Sequence, residues 1–582
     1  MALSAINSAL SSIFAIQRQM DLASANIANA DVAGYTAKSV EVLTSVSGGT
    51  GSGVTTSAAT STVDRFLLQD IAAATGSAAA ADTASSYFQS LQQLFGDISG
   101  SDYSGSDLSS ALSGLSDAVS NLAGTPDSAS YRDAVVSALD DVAAELRSTS
   151  SGVQDLRSQA DQAISDKVDE VNTALERIAD LNVQIRSAKA AGQSTADLED
   201  ERMTALQTVA GDIDVSYYTD QYGNLQIYTA GNQILVDSAG ARQLSHTASS
   251  LSAGTTYAGG GIDGITVNGV DITSRITTGS IAALIQQRDS VLPSVQSELD
   301  ALAQSLGSSV NAVFNAGTAD PPPSSLTGTA DVAAGDAVTV ASGTTVRVAV
   351  TDSDGNIVSY SDVDLSGAAT VADVATALSS VSGVTAAVID GHLSISVGTG
   401  QGIAVSTLGG SVDGTDFSSA FGLNDVLTGT DSAATIAIRA DLAATPALLP
   451  SGTLDASGSL TVGAAAASAG DATVATALSD ALTGKTSFGA AGYLGAVKAS
   501  FTDYAADIVG SVATRAATAS DTATNADSTL SGLKASFTSQ SGVSVDNETA
   551  KLSELQNAYA ASAQILTAVQ SMFQSLLNAV QG

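Results

Sequence analysis

The stretch KLSELQNAYAASAQILTAVQSMFQSLLNAVQG occupies residues 551–582 and has one dominant pattern. Its apolar side chains recur at alternating spacings of three and four residues. The positions are Leu552, Leu555, Tyr559, Ser562, Leu566, Val569, Phe573, Leu576 and Val580. On a helix this spacing gathers the side chains along one face, as in the seam of a coiled coil. The stretch therefore predicts a long helix that packs lengthwise against another helix.

A second stretch with the same spacing lies in residues 1–30, at the other end of the sequence. Its seam positions are Leu3, Ile6, Leu10, Ile13, Gln17, Met20, Ser24 and Ile27. Polar residues interrupt this seam at positions 17 and 24 alone. The two seams predict a pair of helices that brings both ends of the chain to one pole of the molecule.

The outer faces of both predicted helices carry very little charge. Residues 1–30 contain Arg18 and Asp21, and residues 552–582 contain Glu554. A coiled coil that faces water normally carries Glu and Lys beside its seam. One explanation is an ordinary helix pair within one chain. The explanation we favour is burial of several faces against neighbouring copies, with ends that are poorly ordered until assembly supplies partners.

The whole chain, by contrast, is strongly acidic. It has 582 residues with 21 Lys and Arg against 59 Asp and Glu, for a net charge of −38. Such a charge repels phosphate backbones and anionic lipid, so we expect neither nucleic acid nor membrane as a partner. No apolar run reaches the ~18 residues of a membrane helix. The first basic residue, Arg18, comes too late for a cleaved signal peptide, and the absence of cysteine excludes disulfides.

The middle of the chain alternates between helical and β-type patterns. Residues 125–190 predict one or two long, charged helices, and residues 292–313 predict a return helix. Alternating strands and turns in residues 328–426 predict a self-contained α+β insert. A further helix is predicted for residues 495–517. The fold class is multidomain α+β, with long α-helical coiled-coil terminal and shaft regions, a β-rich middle and inserted outer domains.

These changes of pattern divide the chain into eight segments. Terminal assembly segments are predicted at 1–70 and 541–582, shaft helices at 71–210 and 488–540, and a return helix at 291–320. The β-rich middle comprises 211–290, the outer insert 321–430, and an Ala/Gly-rich segment 431–487.

No constellation of residues in the sequence predicts catalysis. The two histidines, His246 and His392, are far apart, and the P-loop, zinc-protease and nucleophile-elbow motifs are absent. The turn Asp352-Ser353-Asp354-Gly355 superficially resembles a calcium loop but has no Glu six residues after the glycine. We therefore predict a tight hairpin there, no catalytic, cofactor-binding or metal-binding residue, and a protein that is not an enzyme.

A motif follows directly after the first seam. The segment SANIANADVAGYT, residues 24–36, resembles the Asn-Ile-Ala-Asn…Gly-Tyr motif of bacterial flagellar rod, hook and hook-associated proteins. The motif positions are Asn26, Ile27, Asn29, Gly34, Tyr35 and Thr36. At the other end, SGVSVDNE (541–548) and LQNAYAASA (555–563) are similar to the signature that this family carries near its C-terminus. Ala37 is a departure, because the family often has Arg at that position.

Three internal segments are similar to the hook-associated members of the family. They are residues 62–69, residues 125–132, and residues 178–185 together with 197–202. After Asn311 this chain has the linker Pro321-Pro322-Pro323 in place of the family's usual Gly/Asp-rich stretch. The resemblance covers roughly residues 1–240 and 490–582, and the central insert carries no matching motif.

The resemblance implies an extracellular structural protein of the flagellum that acts as an adaptor between hook and filament. Its terminal helices would pack into an inner tube of copies of itself, and the chain would be exported through the flagellar type III channel. Implied partners are the hook protein, a second hook-associated junction protein, and an export chaperone at the C-terminal helix. Alternatives are a hook, rod or flagellin-like protein, or a binding or enzymatic insert carried on an axial scaffold.

Overall fold

Long helices and two β-rich regions build the chain in the computed structural model. The structure describes residues 2–32, 34–47, 50–96, 107–456, 458–468 and 470–581. The helices are α1 (Ala2–Ala28), α2 (Arg65–Gln93), α3 (Asp107–Gly124), α4 (Ala129–Ala190), α5 (Ala196–Asp212), α6 (Ser280–Gln286), α7 (Leu292–Asn315), α8 (Val371–Ser379), α9 (Phe417–Phe421), α10 (Ala440–Ala444), α11 (Thr473–Thr483), α12 (Phe501–Ser541) and α13 (Val545–Gln581). The architecture is mixed α+β.

The strands form small antiparallel sheets. The first ones are β1 (Lys38–Ser39), β2 (Val42–Ser47), β3 (Thr50–Thr56), β4 (Thr60–Ser61), β5 (Val215–Thr219), β6 (Leu225–Thr229), β7 (Ile234–Asp237), β8 (Gly240–Ala241), β9 (Leu244–Ser245), β10 (Thr266–Val267) and β11 (Val270–Asp271). Those after α7 are β12 (Ser325–Thr327), β13 (Thr345–Asp352), β14 (Ile357–Asp364), β15 (Thr385–Ile389), β16 (His392–Ser396), β17 (Gln401–Gly409), β18 (Leu427–Thr428), β19 (Ala437–Ile438), β20 (Thr486–Phe488) and β21 (Val497–Ala499). Sheet orders include β5-β6-β7-β8, β12-β16-β15 and β14-β13-β17.

The shaft is organised around α4, a single helix of 62 residues. Ser128 caps its first turn by accepting the backbone N–H of Tyr131. The N-terminal half of α4 packs with α3, α7, α11 and the start of α12 in one apolar core. Its C-terminal half packs with α5, α6 and the strands from β5 to β10 in a second core. The predicted helix at 125–190 therefore connects both cores.

Helices α2 and α12 pack against each other and form another part of the shaft. Ile71 and Ala78 of α2 pack with Leu530 of α12. The helix predicted at 495–517 proves much longer, because α12 continues to Ser541. Its later turns are rich in Thr and Ser and lie within the shaft segment predicted at 488–540. In the helix many of these hydroxyls donate to the carbonyl four residues earlier, as Thr522 does to Thr518.

The insert has its own apolar core, built from β12 to β17, α8 and α9. The Asp352 turn is a hairpin between β13 and β14, in which an Asp352 carboxylate oxygen accepts the N–H groups of Asp354 and Asn356. Asn311 and Asn315 of α7 fix the chain where it leaves the insert. Asn311 accepts the N–H groups of Val426 and Leu427, and Asn315 accepts that of Asn424.

Candidate assembly interface

Helices α1 and α13 lie side by side in opposite directions. The Nε2 atom of Gln17 lies 3.5 Å from the Tyr559 hydroxyl, and the Ala37 N–H donates to the Ser541 carbonyl at 2.8 Å. The end of α1 therefore lies near the start of α13. This arrangement brings the free ends of both helices to one pole of the molecule.

The seam residues predicted from the sequence differ in burial. Ile13 is buried, and Ile6, Met20, Ile27, Leu552, Leu555, Tyr559, Leu566 and Val569 are half-buried. Leu10, Phe573, Leu576 and Val580 are exposed. The Leu3 side chain lies outside the described residues. Half-burial is what a two-helix pair gives, because each helix covers one side of the other and leaves the rest open.

On α1, some of the buried positions lie one residue before the positions predicted for the seam. Leu10, Gln17 and Ser24 are exposed, whereas Ala9 and Ile16 are buried. The physical reason is a β-hairpin, β2–β3, that packs along α1 and was absent from the sequence interpretation. The Val54 N–H donates to the Ser11 hydroxyl at 3.1 Å. Gly53 has φ +131°, and a Cβ there would lie 2.3 Å from the Ser11 hydroxyl, so the contact requires glycine.

The motif after α1 folds into a turn around Asn26, which is fully buried. Its amide nitrogen donates to the Lys38 carbonyl at 2.9 Å, and its amide oxygen accepts the Lys38 N–H at 3.1 Å. The same oxygen accepts the Tyr35 hydroxyl at 3.0 Å. Asn29 donates to the Ala25 carbonyl within the last turn of α1. One side chain thus ties the end of α1 to the start of β1.

Gly34 allows this turn because its φ is +81°. A Cβ at this position would lie 2.9 Å from the Thr204 hydroxyl of α5, so there is also little space for a side chain. Ile27 lies half-buried on α1.

The turn is bound to the shaft through Thr36 and Lys38. The Thr36 N–H donates to Asp200 Oδ2 at 3.0 Å and its hydroxyl to Asp200 Oδ1 at 2.8 Å. The Lys38 ammonium lies 2.8 Å from Asp197 and 2.9 Å from Asp200, and it also sits over the Tyr35 ring. Burial alone would lower the pKa of Lys38, but the hydrogen bonds to Asp197 and Asp200 outweigh it and raise that pKa.

Lys38, Asp197, Asp200 and Ser541 are residues of this site that were not among the predicted site residues. Asp200 lies within the segment 197–202, which was already similar to hook-associated proteins. No local sequence pattern predicts that Asp200 pairs with Lys38, which is 162 residues away in the chain. Lys38 stands one position after Ala37, where the family often has Arg, and it could have been noticed as the first lysine of the chain.

The described residues contain no group of three or more His, Asp or Glu side chains arranged to hold a metal. Among the same residues, no helix is both long and apolar enough to span a bilayer. His246 is buried against the Asp161 carboxylate at 3.0 Å, which also accepts from Arg288.

Family models match both ends and the shaft of the chain. The model of the flagella basal body rod protein matches residues 6–36, which comprise most of α1 and the motif turn. The helical domain of flagellar hook-associated protein FlgK matches residues 75–322. The C-terminal model of the flagellar basal body rod FlgEFG proteins matches residues 534–579. Both ends and the shaft of the chain are therefore similar to structural proteins of the axial type found in bacterial flagella.

Within that class the chain resembles flagellar hook-associated protein 1. It is 25% identical over 322 residues to that protein of Salmonella typhimurium, an alignment that covers 54% of this chain and 57% of the relative. The Escherichia coli protein is 24% identical over the same length. The chain thus spans a little over half the length of the curated relatives it matches.

A solved structure extends the similarity to the fold. The flagellar hook junction protein FlgK from Burkholderia pseudomallei aligns with a TM-score of 0.50 and 15% sequence identity. The alignment covers 80% of this chain and 98% of that chain. At this identity the likeness concerns the fold alone, and it includes most of the architecture described above.

Proposed function

We propose that this chain is the adaptor at the junction of the flagellar hook and filament. It polymerises on the hook tip through its terminal helices and supports growth of the filament. The observation that carries the proposal is the α1–α13 pair, which is held to the shaft by the motif turn and leaves uncharged, apolar side chains exposed. In water such a surface favours association with a partner.

The assembly interface is proposed to comprise Leu3, Ile6, Leu10, Ile13, Met20, Ile27, Leu552, Leu555, Tyr559, Leu566, Val569, Phe573, Leu576 and Val580. Its partners are copies of the same chain, the hook protein on one side and a second hook-associated junction protein on the other. Before assembly, an export chaperone binds α13. The chain acts outside the cell, after export through the flagellar type III channel.

The test is complementation of a strain that lacks the native gene. The full-length chain should restore hooks that carry filaments, and electron microscopy should find the chain at the hook tip. A variant that lacks residues 552–582 should give hooks without filaments, with filament protein released into the medium.

The chain itself is measured in the medium of the same cultures, because this separates a failure of export from a failure of assembly. A truncated variant that is exported but absent from hooks supports the proposal. Normal filaments on cells that carry the truncated variant, or on cells without the gene, would contradict it.

A further inference from the structure

An open groove runs along the outer edge of strand β5, between this strand and helix α2. β5 is the first strand in the sheet β5-β6-β7-β8, so one of its edges has no neighbouring strand. Two adjoining cavities of about 420 and 320 Å³ form the groove, and Gln69 of α2 and Tyr217 of β5 line both of them. We call this space the β5 groove. Its size is ordinary for a ligand site, since such pockets measure roughly 300–1,000 Å³.

The open edge of β5 has unused backbone hydrogen-bonding groups. The Asp220 N–H donates to the Asn224 carbonyl, which makes these two residues a hydrogen-bonded pair at the end of the β5–β6 ladder. Hydrogen-bonded and non-hydrogen-bonded pairs alternate along an antiparallel ladder. The N–H and C=O groups of Val215, Tyr217 and Thr219 therefore point away from β6. No group among the described residues hydrogen-bonds to them, and an unpaired edge of this kind can accept another strand.

The Tyr217 side chain has an unused polar atom as well. Its hydroxyl is buried and has no hydrogen-bond partner within the described parts of the chain. Burial raises the pKa of this tyrosine, so the hydroxyl keeps its proton and can donate it to an acceptor. Because a buried hydroxyl without a partner costs free energy, a ligand that supplies an acceptor in the groove gains affinity.

Positive charge is concentrated around the larger cavity of the groove. Arg65, Lys189 and Arg202 all line it, in a chain that has 21 basic residues against 59 acidic ones. The Lys189 ammonium lies close to the turn between β5 and β6, since a Cβ on Gly223 would be 3.1 Å from its Nζ atom. Neither Arg65 nor Lys189 belongs to an ion pair among the residues that the structure describes. Both cations are therefore available to a ligand.

Arg202 is only partly used by its own neighbours. It is 7% exposed, and its Nη1 atom donates to Asn182 Oδ1 at 2.8 Å and to the Gly223 carbonyl at 2.7 Å. Its Nε and Nη2 atoms donate to no described group and remain open. Burial lowers the pKa of Arg202 although Glu199 and Asp220 act in the opposite direction, so these neighbours do not fully replace the lost water. The Nε–Nη2 edge of a guanidinium is suited to bind a carboxylate through two parallel hydrogen bonds.

Two carboxylates also line this cavity but do not neutralise it. Asp200 is already paired with Lys38 at 2.9 Å. Glu199 accepts the Thr195 hydroxyl at 2.9 Å and is the one remaining counter-charge to the three cations. The cavity therefore favours an anionic ligand, in contrast to the acidic chain as a whole.

We propose that the β5 groove binds an extended acidic peptide segment of another protein. The peptide adds a strand to the open edge of β5 and places a carboxylate against the Nε and Nη2 atoms of Arg202. Main-chain hydrogen bonds supply affinity in this mode of recognition, and the cations supply the preference for an acidic sequence. A small free anion would use the cations and leave the strand edge unpaired, so the two sets of observations together favour a peptide. The site is separate from the terminal helices, and the inference does not depend on the proposed function.

The first test titrates the full-length chain into two fluorescein-labelled hexapeptides. One has two aspartates before an alternating run of valine and threonine, and the other has them after it, because an added strand can be antiparallel or parallel to β5. One control peptide has asparagine in place of aspartate, and a second is N-methylated at its valines and threonines, which blocks strand pairing. We expect an acidic peptide to bind in the micromolar range and both of its controls to bind roughly tenfold more weakly.

The second test removes two of the cations. The chain with Arg65→Gln and Lys189→Met is compared with a control that carries Lys485→Met and Lys498→Met, which removes the same charge from positions outside the groove. All four side chains are exposed, so both variants should keep the circular dichroism of the native chain. We expect the acidic peptide to bind roughly tenfold more weakly to the first variant and with native affinity to the control.

Hydrogen exchange distinguishes strand addition from simple charge attraction. The Tyr217 and Thr219 amides should exchange more slowly once the acidic peptide is bound, whereas the Tyr218 amide, which already faces β6, should change little. Unchanged exchange at Tyr217 and Thr219 in the peptide complex would overturn the proposal. So would the absence of binding by both acidic peptides, equal binding of the aspartate and asparagine peptides, or equal losses in the two charge variants.

Discussion

The ammonium group of Lys38 lies 2.9 Å from a carboxylate oxygen of Asp200, which also accepts two hydrogen bonds from Thr36. Lys38 is 3% exposed, and the side chain of Asp200 is 13% exposed. This contact joins the motif turn to helix α5 and so fixes the terminal pair relative to the shaft. In the proposed assembly this contact would matter, because the terminal helices would define the position of each subunit.

Replacing Asp200 by Ala should loosen this joint. The change removes the carboxylate that accepts hydrogen bonds from Thr36 and Lys38, and because Lys38 keeps Asp197 as a partner we expect a cost of about 2 kcal/mol. Because the turn can open without unfolding the shaft, the effect should appear as faster hydrogen exchange at the Thr36 and Ala37 amides. The matched control is Glu201→Ala, since Glu201 pairs with Arg177 at the surface and its loss should cost under about 1 kcal/mol. Equal exchange rates in the two variants would contradict the role of the joint.

Asn26→Ala should open the motif turn from the other side. The change leaves the Lys38 N–H, the Lys38 carbonyl and the Tyr35 hydroxyl without their partner, at a cost of about 2 kcal/mol or more. Trypsin provides a direct readout, because it cleaves after lysine and Lys38 is buried in the native chain. We expect rapid cleavage after Lys38 in Asn26→Ala and slow cleavage in Asn29→Ala, which loses one hydrogen bond within α1. Slow cleavage in both variants would refute the prediction.

The parts of the fold that were predictable are those with a dense local pattern. Ile164, Val171 and Ile178 recur at heptad spacing, and all three are fully buried along α4. The β2–β3 hairpin had no such pattern, because it is rich in Gly, Ser and Thr and depends on packing against Ser11 of α1. Arg347 of the insert is another example. Its guanidinium donates to the carbonyls of Asp455 and Gly458, more than a hundred residues later in the chain.

The same distinction applies to the candidate site. Asn26, Gly34 and Tyr35 were predicted because they form a contiguous motif that resembles a known family. The open sides of α1 and α13 were not predicted, since periodicity identifies apolar positions but does not say which neighbour covers them. On α1, the β2–β3 hairpin covers one side of the helix and so determines which positions stay open.

The stability of the shaft should depend on pH through Glu298. Burial raises the pKa of this carboxyl to about 7, although it accepts the Tyr493 N–H at 2.7 Å. Burial and the nearby Glu298 also raise the pKa of Tyr504 to about 12. Because the folded state holds the Glu298 proton more tightly than the unfolded state, stability should fall as pH rises from about 4.5 to about 7.

Glu298→Gln should remove this part of the pH dependence. The amide keeps an acceptor for Tyr493 and carries no charge at any pH, so the variant should be more stable than the native chain at pH 8 by roughly 3 kcal/mol at most. Urea unfolding at pH 5 and pH 8 measures the difference. Other groups with perturbed pKa values are present in both proteins and cancel in the comparison. A native-like loss of stability between the two pH values in Glu298→Gln would contradict the assignment.

The end of α13 should be the first part of the purified chain to be cut by chymotrypsin. Ala2 is fifteen residues before Gln17, and position 574 is fifteen residues after Tyr559, so α13 extends past the start of α1 from about that point. Phe573 and Leu577 are each 45% exposed there, whereas Tyr559 is half-buried in the seam. Unpaired helical turns fray and are cleaved more readily than paired ones. We therefore expect early cleavage at residues 572–577 and later cleavage at Tyr559.

In hook–filament preparations the early site should become protected, because neighbouring copies then cover it. Equal rates at the two sites in the purified chain, or no protection after assembly, would contradict the idea that this end of α13 is completed by a partner.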